Sequence, residues 1–509
     1  MTNYREILFK HLDGIVLIPT IISLEKIGIL NSISDKITFS INEINKNNNF
    51  NAGYLNVSLR TLRNCNLLEF KEDKYYLDSR YKVTNNFIQI INNLNYFHEI
   101  SCLLSFYLKS ELTKKDINEY TKSIQSLTKI LKKNINPNIL KVYLEGILLG
   151  PILAKFSFEK KIDIYNNKIK FIKTEPDLVK TIHLLFESLN ITNKNKITEK
   201  GLFFINKASA YGVTVSYLNT LNNIDKLLTS SPDYVWNRKK DNTEIHVDRA
   251  LNVWGSGGAH KNYFKKIDKI VTNIFNKSLD KQPNGIIDIG CGDGTFLKHL
   301  YDIVSNNTLR GKHLNEKPLY IIGTDINKKA RIASKITLKG INHIILNGDI
   351  SNPDELNKNL YEKYSLKLND FLNCRTFLDH NRIYKKPSKY FLKHNIHSNG
   401  SFAFKGKLIN PKDLVANFIE HLYKWKSYIN KYGLIIIELH TINSEITKLN
   451  SGKTLACSYD ATHGYTDQYL IEYNIYKKCF NKLNLDITNE NEYLYPKNNP
   501  TVSINYIIC

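Results

Sequence analysis

Several residue types are scarce in this sequence, and each shortage argues against a class of protein. Among 509 residues there is one methionine, and the seven cysteines are odd in number and show no CxxC spacing. That pattern gives no support to a disulfide framework or a zinc knuckle. The N-terminus lacks the long apolar segment of a signal peptide, and the apolar run Ile15–Ile22 is interrupted by Pro19 and too short to span a bilayer. We therefore expect a reducing, cytoplasmic location and no membrane segment.

Acidic residues are scarce relative to basic ones, which raises the question of an anionic partner. The chain has 48 Asp and Glu against 71 Lys and Arg, a net charge of +23. A basic excess of this size is found in proteins that bind nucleic acid or anionic membranes. The lysines are nevertheless dispersed among asparagines and isoleucines, whereas specific nucleic-acid binders cluster their charge. We expect no nucleic-acid or membrane partner; a diffuse positive field equally suits an acidic carrier protein or a coenzyme-linked acid.

An internal repeat marks the first half of the chain. HLDGIVLIP at His11–Pro19 recurs as YLEGILLGP at Tyr143–Pro151, and each copy begins an apolar helical pattern. An amphipathic stretch follows each copy, at Tyr54–Leu68 and at Leu178–Ile191, with apolar residues three or four apart. After the first copy, Phe70–Asp78 gives two short β-prone runs around a polar turn. Helices followed by a small hairpin are typical of a winged helix.

A winged helix either binds DNA or serves as a dimerisation module or a lid over a neighbouring active site. The candidate recognition segment carries only Arg60 and Arg63 as cations, which favours the second interpretation. Ser230–Thr243 is polar, has turn signals and is predicted to be a linker. The length suits two or three domains, and we predict a winged-helix-like module over 1–95, a second with lid and linker over 96–243, and a catalytic domain over 244–509.

A glycine-rich turn opens the catalytic half. Ile286–Leu297 reads IIDIGCGDGTFL, in which a β-prone run leads into Gly290, Gly292 and Gly294 and then into the start of a helix. Glycines allow a tight turn at the end of a strand and let a ligand lie against the backbone. With Asp288 inside the strand, the string resembles motif I of class I methyltransferases. By that resemblance the fold is a Rossmann-like α/β domain, the ligand is S-adenosylmethionine (SAM), and Asp288 orients its ammonium group.

Two further acidic residues follow at the ends of predicted strands. Leu319–Asn327 predicts a second buried strand whose Asp325 is placed to accept hydrogen bonds from the ribose hydroxyls. Ile344–Ile350 predicts a third strand, after which members of this class place a carboxylate on the adenine amine and an apolar side chain on the adenine ring. Besides the motif I residues, the predicted SAM contacts are Asp325, Asn327, Asp349 and Ile350.

The segment Asn252–Phe264 precedes the first strand and contains Gly255, Gly257 and Gly258. These glycines predict either a flexible loop that closes over the donor or an ordinary loop at the entry to the domain. The role of His260 depends on the same choice.

Polar side chains follow the later strands, where α/β enzymes place their chemistry. Asp379 and His380 follow an apolar pair in FLNCRTFLDHNR, and Tyr432–His440 is a buried strand ending in Glu438 and His440. The last two point to the same side because the side-chain period of a strand is two. The next polar segment, SYDATHGYTDQYLIE, contributes Tyr459, His463 and Gln468.

These residues admit two kinds of chemistry. A histidine base suits O-methylation, in which a hydroxyl loses its proton as it attacks the methyl group. A mixed set of His, Gln and carboxylate suits Mg²⁺, Mn²⁺ or Fe²⁺ with open coordination positions. Zinc fits less well because no thiolate joins the set.

Four strings together resemble the apratoxin-type polyketide C-methyltransferases: NVWGSGGAHKNYF, IIDIGCGDGTFL, FLDHNR and SYDATHGYTDQYL. The resemblance implies C-methylation of a malonyl-type acyl group on an acyl carrier protein, with a mononuclear iron or manganese centre. It also implies His463 and Gln468 as metal ligands. The residue types leave Asp379, His380, Glu438 and His440 open as the third ligand. The candidate catalytic residues are His380, Asp379, His440 and Tyr459.

No acyltransferase, ketosynthase or carrier domain is evident in the sequence. We therefore expect the carrier protein in trans, or a small-molecule acyl substrate in its place. A second hypothesis is a metal-independent O- or N-methyltransferase of small molecules with a histidine base and a winged-helix module that forms a homodimer. A third is a winged-helix nucleic-acid-binding protein with a vestigial methyltransferase domain, against which the intact Asp288, Asp325 and Asp349 argue.

Overall fold

The computed structural model describes residues 3–46, 48–72, 78–94, 97–109, 111–132, 138–239 and 243–508. These fall into two compact units that are discontinuous in sequence. Unit 1 comprises Met1–Gly258, Ser401–Ile409 and Asn443–Asp467, and unit 2 comprises Ala259–Gly400, Asn410–Ile442 and Gln468–Cys509. The sequence predicted contiguous domains, and those boundaries stay predictions; the one at residues 95 and 96 lies outside the described residues.

The helices begin and end as follows: α1 (Tyr4–Lys26), α2 (Ile29–Ser34), α3 (Ile41–Asn45), α4 (Ala52–Asn64), α5 (Asn85–Ile91), α6 (His98–Leu108), α7 (Lys114–Leu131), α8 (Asn138–Phe158), α9 (Pro176–Ser188), α10 (Glu199–Asn206), α11 (Ser209–Ser216), α12 (Leu218–Leu221), α13 (Ile224–Thr229), α14 (Asp233–Trp236), α15 (Arg249–Phe275), α16 (Thr295–Asn307), α17 (Leu309–Lys312), α18 (Lys328–Thr337), α19 (Pro353–Tyr364), α20 (Pro411–Ile429), α21 (Ser444–Leu449), α22 (Ala456–Gly464) and α23 (Tyr473–Asn481).

The strands are β1 (Leu68–Glu72), β2 (Arg80–Val83), β3 (Ile162–Tyr165), β4 (Lys168–Phe171), β5 (Thr192–Asn193), β6 (Lys196–Ile197), β7 (Gly285–Ile289), β8 (Tyr320–Thr324), β9 (His343–Leu346), β10 (Leu372–Thr376), β11 (Ala403–Phe404), β12 (Lys407–Leu408), β13 (Leu434–Leu439), β14 (Asp486–Tyr495) and β15 (Val502–Ile508).

The two copies of the repeat pack directly against each other in unit 1, as parts of α1 and α8. A Cβ added at Gly14 would lie 2.4 Å from the backbone oxygen of Tyr143, and one added at Gly146 would lie 2.4 Å from that of His11. The contact is reciprocal, because each glycine meets the residue three positions before the other glycine. The repeated glycine therefore lets two helix backbones approach closely at one crossing point.

Alanine at either of these glycines is expected to destabilise the protein. The added methyl group meets backbone atoms that cannot rotate away, so the helices must separate, at a cost of about 1–3 kcal/mol in the free energy of unfolding. Gly257 in α15 is a matched control because a Cβ there would meet no atom within 4 Å among the described residues. Gly257→Ala should instead stabilise by roughly 1 kcal/mol through helix propensity. Urea unfolding measures the free energy of unfolding of the three variants. A similar change in that free energy for Gly14→Ala and Gly257→Ala would contradict the close approach of the two helices at Gly14.

Helix α1 is longer than the apolar run seen in the sequence, since Pro19 lies inside it. By length and composition α1 is the one helix of the described residues that passes as a candidate membrane span. However, 78% of its most apolar window is buried inside the protein. Burial on this scale is typical of a core helix. The cytoplasmic location stays a prediction.

Each module of unit 1 combines an amphipathic helix with a hairpin, in line with the predicted winged-helix pattern. The two predicted amphipathic stretches correspond to α4 and α9. In the first module the hairpin pairs β1 with β2, which begins at Arg80, a little later than the sequence pattern indicated; residues 73–77 lie outside the described residues. In the second module β3 pairs with β4 and β5 with β6.

The glycine-containing segment at 252–264 is helical, so both predicted loops are wrong. It forms the N-terminal half of α15. Gly255 packs on Gly212 of α11, and a Cβ added at Gly255 would lie 2.7 Å from the Gly212 Cα. Here glycine serves close helix packing and not backbone flexibility. The side chain of His260 lies outside the described residues.

Unit 2 is built on a seven-stranded sheet with the order β14-β15-β13-β10-β7-β8-β9. The strands from β13 to β9 are parallel, and β15 pairs antiparallel to β13 and to β14. Chain progression reverses between β7 and β10, so their carboxyl ends form the switch point at which open α/β sheets bind ligands. The predicted Rossmann-like α/β fold is confirmed.

Candidate functional site

The glycine turn follows β7 at the switch point. Gly290, Gly292 and Gly294 all have positive φ, at 77°, 56° and 80°, which favours glycine. The backbone N–H groups of Gly290 and Cys291 donate to the Thr324 oxygen, at 2.8 and 2.9 Å, and fasten the turn to β8. A Cβ at Gly292 would meet no described atom within 4 Å, so the backbone there is open to a ligand.

Asp288 lies in β7 beneath this turn and is fully buried. Neither carboxylate oxygen has a hydrogen-bond partner among the described residues. Burial, and to a smaller extent the charge of Asp325, raises the pKa of Asp288 well above its usual range. A buried carboxyl without a partner is costly, so this position suits a ligand that brings a positive charge.

Asp325 lies at the end of β8, next to the glycine turn. Its carboxylate accepts hydrogen bonds from the backbone N–H of Gly292 at 3.1 Å and of Asn327 at 2.7 Å. These bonds fix the side chain beside the turn, where it was predicted to meet a ribose. The Asn327 side chain instead caps α18 by accepting from the Lys329 N–H at 2.9 Å, which favours a structural role for it.

The third predicted strand is shorter than its sequence pattern, since β9 ends at Leu346. The pair predicted to contact adenine, Asp349 and Ile350, lies in the loop beyond it. Asp349 is exposed and accepts from the Ser351 N–H at 2.8 Å. Ile350 is buried, and its backbone oxygen accepts from Trp425 Nε1 at 2.8 Å. Their contacts with SAM stay predictions.

His380 and Glu438 form a buried pair at the carboxyl ends of β10 and β13. His380 Nδ1 lies 2.5 Å from Glu438 Oε1, and the His380 backbone N–H donates to Glu438 Oε2 at 3.2 Å. Glu438 Oε1 also accepts from the Leu439 N–H at 2.7 Å. Because a carboxylate oxygen faces Nδ1, Glu438 favours the neutral tautomer of His380 that carries its proton on Nδ1 and a lone pair on Nε2.

Asn381 supports the same tautomer and was not singled out by the sequence. Its Nδ2 donates to the Phe377 oxygen at 3.1 Å, which fixes the orientation of the amide. The same nitrogen lies 3.2 Å from His380 Nε2 and can donate to it. A histidine–carboxylate pair with Nε2 unprotonated is the arrangement of a general base.

Asp379 is adjacent to this pair but is itself enclosed. Its Oδ1 accepts from Arg375 Nη1 at 2.7 Å and lies 2.8 Å from His421 Nε2. Although burial opposes ionisation, Arg375 and His421 hold the pKa of Asp379 well below its usual range. Arg382 donates to the Asp379 backbone oxygen at 2.8 Å. Such a carboxylate is a poor base, and the geometry favours a role in supporting the turn that carries His380.

His440 is fully buried and both of its ring nitrogens have partners. Nε2 lies 2.8 Å from the Ser503 hydroxyl, and Nδ1 lies 3.2 Å from the Ile471 backbone oxygen. Burial lowers the pKa of His440 to about 3. These contacts favour a structural histidine over the catalytic role proposed from the sequence.

The remaining candidates belong to different units. Tyr459 and His463 belong to α22 in unit 1, whereas Gln468 is the first residue of the last segment of unit 2. His463 Nδ1 lies 2.8 Å from the Tyr459 backbone oxygen, and the two rings pack edge to face. Among the described residues no group of three His, Cys, Asp or Glu side chains is placed to hold a metal ion.

Three features define a class I methyltransferase that uses SAM: the fold, the glycine turn, and the buried Asp288 carboxyl, which has no hydrogen-bond partner among the described residues. The model of the AprA MT2-like domain matches residues 244–506, more than half of the chain. The AprA N-terminal domain matches 4–70 and the AprA winged helix domain matches 145–231. The chain belongs to the AprA MT2-like family, which confirms the resemblance to apratoxin-type methyltransferases and the winged helix before the catalytic domain.

Solved structures with some similarity include other methyltransferases. The CurJ carbon methyltransferase is 11% identical, with 84% of this chain and 94% of that one covered and a TM-score of 0.35. The DszA carbon methyltransferase is 10% identical, with 82% of this chain and 91% of that one covered and a TM-score of 0.34. The plantazolicin methyltransferase BpumL in complex with SAH is 13% identical, with 51% of this chain and 89% of that one covered and a TM-score of 0.28. No curated protein matches the chain. All three TM-scores are below 0.5, so the family assignment depends on the family models alone.

Proposed function

We propose that this methyltransferase transfers the SAM methyl group to the α-carbon of a malonyl-type acyl group on an acyl carrier protein supplied in trans. The observation that carries the proposal is the His380–Glu438 pair, which lies in the same unit as the glycine turn and Asp288. The acyl substrate class is what the resemblance to apratoxin-type polyketide C-methyltransferases implies, and the chain belongs to the AprA MT2-like family. A dispersed net charge of +23 suits an acidic carrier protein.

The pair has the geometry for removing a carbon-bound proton. Once the substrate takes the place of the Asn381 amide, His380 Nε2 accepts the α-proton, and Glu438 stabilises the resulting imidazolium through Nδ1–H. The carbanion then forms a bond to the methyl carbon as the bond from that carbon to sulfur breaks, which leaves S-adenosylhomocysteine. A malonyl α-carbon is not acidic enough to lose its proton readily at neutral pH, so the enolate requires further stabilisation.

We further propose that a divalent iron or manganese ion binds with His463 and Gln468 among its ligands, which is the ligand pair that the resemblance to apratoxin-type methyltransferases implies. The Nδ1 of His463 is held by the Tyr459 backbone oxygen, an arrangement that directs Nε2 toward a metal. An imidazole nitrogen and an amide oxygen suit such an ion with open positions for substrate. When bound, the ion would act as a Lewis acid on the enolate oxygens.

The acceptor is tested by incubating the protein with SAM and malonyl-loaded carrier protein and weighing the acyl arm. The proposal expects the arm to gain the mass of one CH₂ unit, and expects no gain with the His380→Ala variant. A free malonyl thioester in place of the carrier protein separates recognition of the carrier from recognition of the acyl group. Absence of transfer to both substrates would contradict the proposed acceptor class.

The metal is tested in the same assay with a chelator, with added Mn²⁺ or Fe²⁺, and with His463→Ala. Transfer should cease with the chelator, return with the ion and be lost in the variant. If the chelator and the variant leave transfer unchanged, the metal proposal is wrong while C-methylation stands.

A metal-independent O- or N-methyltransferase is the second candidate. The His380–Glu438 pair suits deprotonation of a hydroxyl equally well. Transfer to a phenol or an amine in the presence of a chelator, without transfer to malonyl substrates, would favour it.

A further inference from the structure

If the first module of unit 1 bound DNA, helix α4 would be its recognition helix. However, α4 is almost wholly buried. Eleven of its thirteen residues are buried. Arg60 donates through Nε to Asp460 at 2.7 Å, and the Arg63 guanidinium lies 3.3 Å from the centre of the Phe70 ring and 3.6 Å from Glu445. Both cations that a DNA-binding interpretation requires are therefore engaged inside unit 1.

The partners of α4 lie in and just after α22. Four polar contacts join the segments in antiparallel order: Tyr54 Oη to Asp467 Oδ1 at 3.0 Å, Ser58 Oγ to Tyr465 Oη at 2.8 Å, and Arg60 Nε and Asn64 Nδ2 to Asp460 Oδ2 at 2.7 and 3.0 Å. We call this set the α4–α22 ladder. Between its rungs Gly464 lies against Val57, and a Cβ there would approach the Val57 side chain to 2.8 Å. The ladder thus spans both sides of His463.

Asp467 terminates the ladder in a conformation that needs support. Its φ of 55° lies in the left-handed region, which is unusual for a residue with a side chain and persists where neighbouring groups fix it. Besides Tyr54, its carboxylate accepts from Trp236 Nε1 at 2.7 Å and from the Lys405 N–H at 2.9 Å. Three separate parts of unit 1 therefore hold the backbone between His463 and Gln468.

We infer that α4 is a positioning surface for α22 and for the His463 that α22 carries, and not a nucleic-acid-recognition helix. In this role Tyr54, Arg60, Asp460 and Asp467 are positioning residues that act through His463. The part concerning metal affinity rests on the proposed function of His463. The part concerning the position of α22 does not, so the two can fail separately.

Two variants and a matched control test the inference in the full chain. Asp467→Gly keeps the backbone conformation but removes all three side-chain bonds, and Tyr54→Phe removes one. Tyr107→Phe is the control, because this buried hydroxyl of unit 1 donates to the Leu148 oxygen at 3.1 Å, away from the ladder. Amide hydrogen exchange of peptides covering 456–467 reports on the position of α22. Mn²⁺ titration followed by electron paramagnetic resonance reports on the metal, and calorimetric SAM titration reports on the donor site.

The inference expects exchange of 456–467 to accelerate about tenfold in Tyr54→Phe, as for loss of one buried hydrogen bond, and more in Asp467→Gly. Mn²⁺ affinity should fall roughly 10–100-fold, the effect of losing an outer-shell partner, with SAM affinity within twofold of wild type. Tyr107→Phe should change none of these. Unchanged exchange in both variants, or equal acceleration in the control, would overturn the inference. If exchange accelerates as expected but His463→Ala binds Mn²⁺ like wild type, the ladder stands and the proposed metal role fails.

Discussion

Replacing His380 by alanine is expected to lower the rate of methyl transfer by roughly 10²–10⁴-fold, the usual contribution of a positioned general base. The rate should fall in kcat, with the dissociation constant of SAM unchanged, because His380 is not among the predicted donor contacts, which lie in β7, in the glycine turn and in the loops that follow β8 and β9. Single-turnover transfer and calorimetric SAM titration separate the two effects. A variant that binds SAM normally and still transfers at the wild-type rate would show that His380 is not the base.

Glu438→Gln should be nearly as severe, for a reason visible in the contacts. Both Glu438 oxygens accept from N–H groups: Oε1 from Leu439 and from His380 Nδ1, and Oε2 from the His380 backbone. In either orientation the glutamine NH₂ group would face a donor, so the histidine would lose its orientation or tautomer. His299→Ala is the matched control, since His299 forms a 2.6 Å pair with Asp268 on helices of the same unit. An equal loss of activity in the control would indicate a general structural effect.

Replacing Asp288 by asparagine is expected to weaken SAM binding by roughly 10–150-fold, which corresponds to the loss of a charge-assisted contact worth about 1.5–3 kcal/mol. The unliganded protein should become more stable than wild type at neutral and higher pH, because the raised pKa of the buried Asp288 makes its ionisation unfavourable in the folded state. Thermal unfolding measures the second effect. Asp293→Asn is the control, as Asp293 is exposed in the same turn and only caps the Thr295 N–H.

The same residue predicts a pH dependence of SAM binding. In the free protein the pKa of Asp288 is raised, so the carboxyl holds a proton at a pH where an ordinary aspartate does not. The cationic donor favours the carboxylate, so binding releases this proton and affinity rises with pH until the raised pKa is passed. Calorimetry in buffers of different ionisation enthalpy should detect the release in wild type and not in Asp288→Asn. Equal proton release in both would contradict the assignment.

The sequence predicted most of what local patterns control. The local sequence around Asp288 predicts a strand, a glycine turn and a helix, and the structure has these three elements in that order. The prediction failed at 252–264, because a glycine that serves helix packing, as Gly255 does against Gly212, has the same local signature as one in a flexible loop. That distinction depends on a residue far away in the chain.

In the candidate site, too, the sequence did not reveal contacts between residues far apart in the chain. The sequence identified His380 and Glu438 but could not show that they pair, since they are brought together only by the order of β10 and β13 in the sheet. For Asp379 and His440 residue type alone suggested catalysis, and their partners Arg375, His421 and Ser503 favour structural roles. His421 lies in an amphipathic helix without any motif, so no local signal was available to find it.

The position of the transferred methyl group is the most direct test of the account. SAM labelled with ¹³C in its methyl group, malonyl-loaded carrier protein and the wild-type protein should give a product whose labelled methyl protons are split by the α-proton. That coupling places the methyl group on carbon, as base-assisted C-methylation by His380 requires. A labelled methyl signal without this coupling, at the position of an ester or an N-methyl group, would contradict the account.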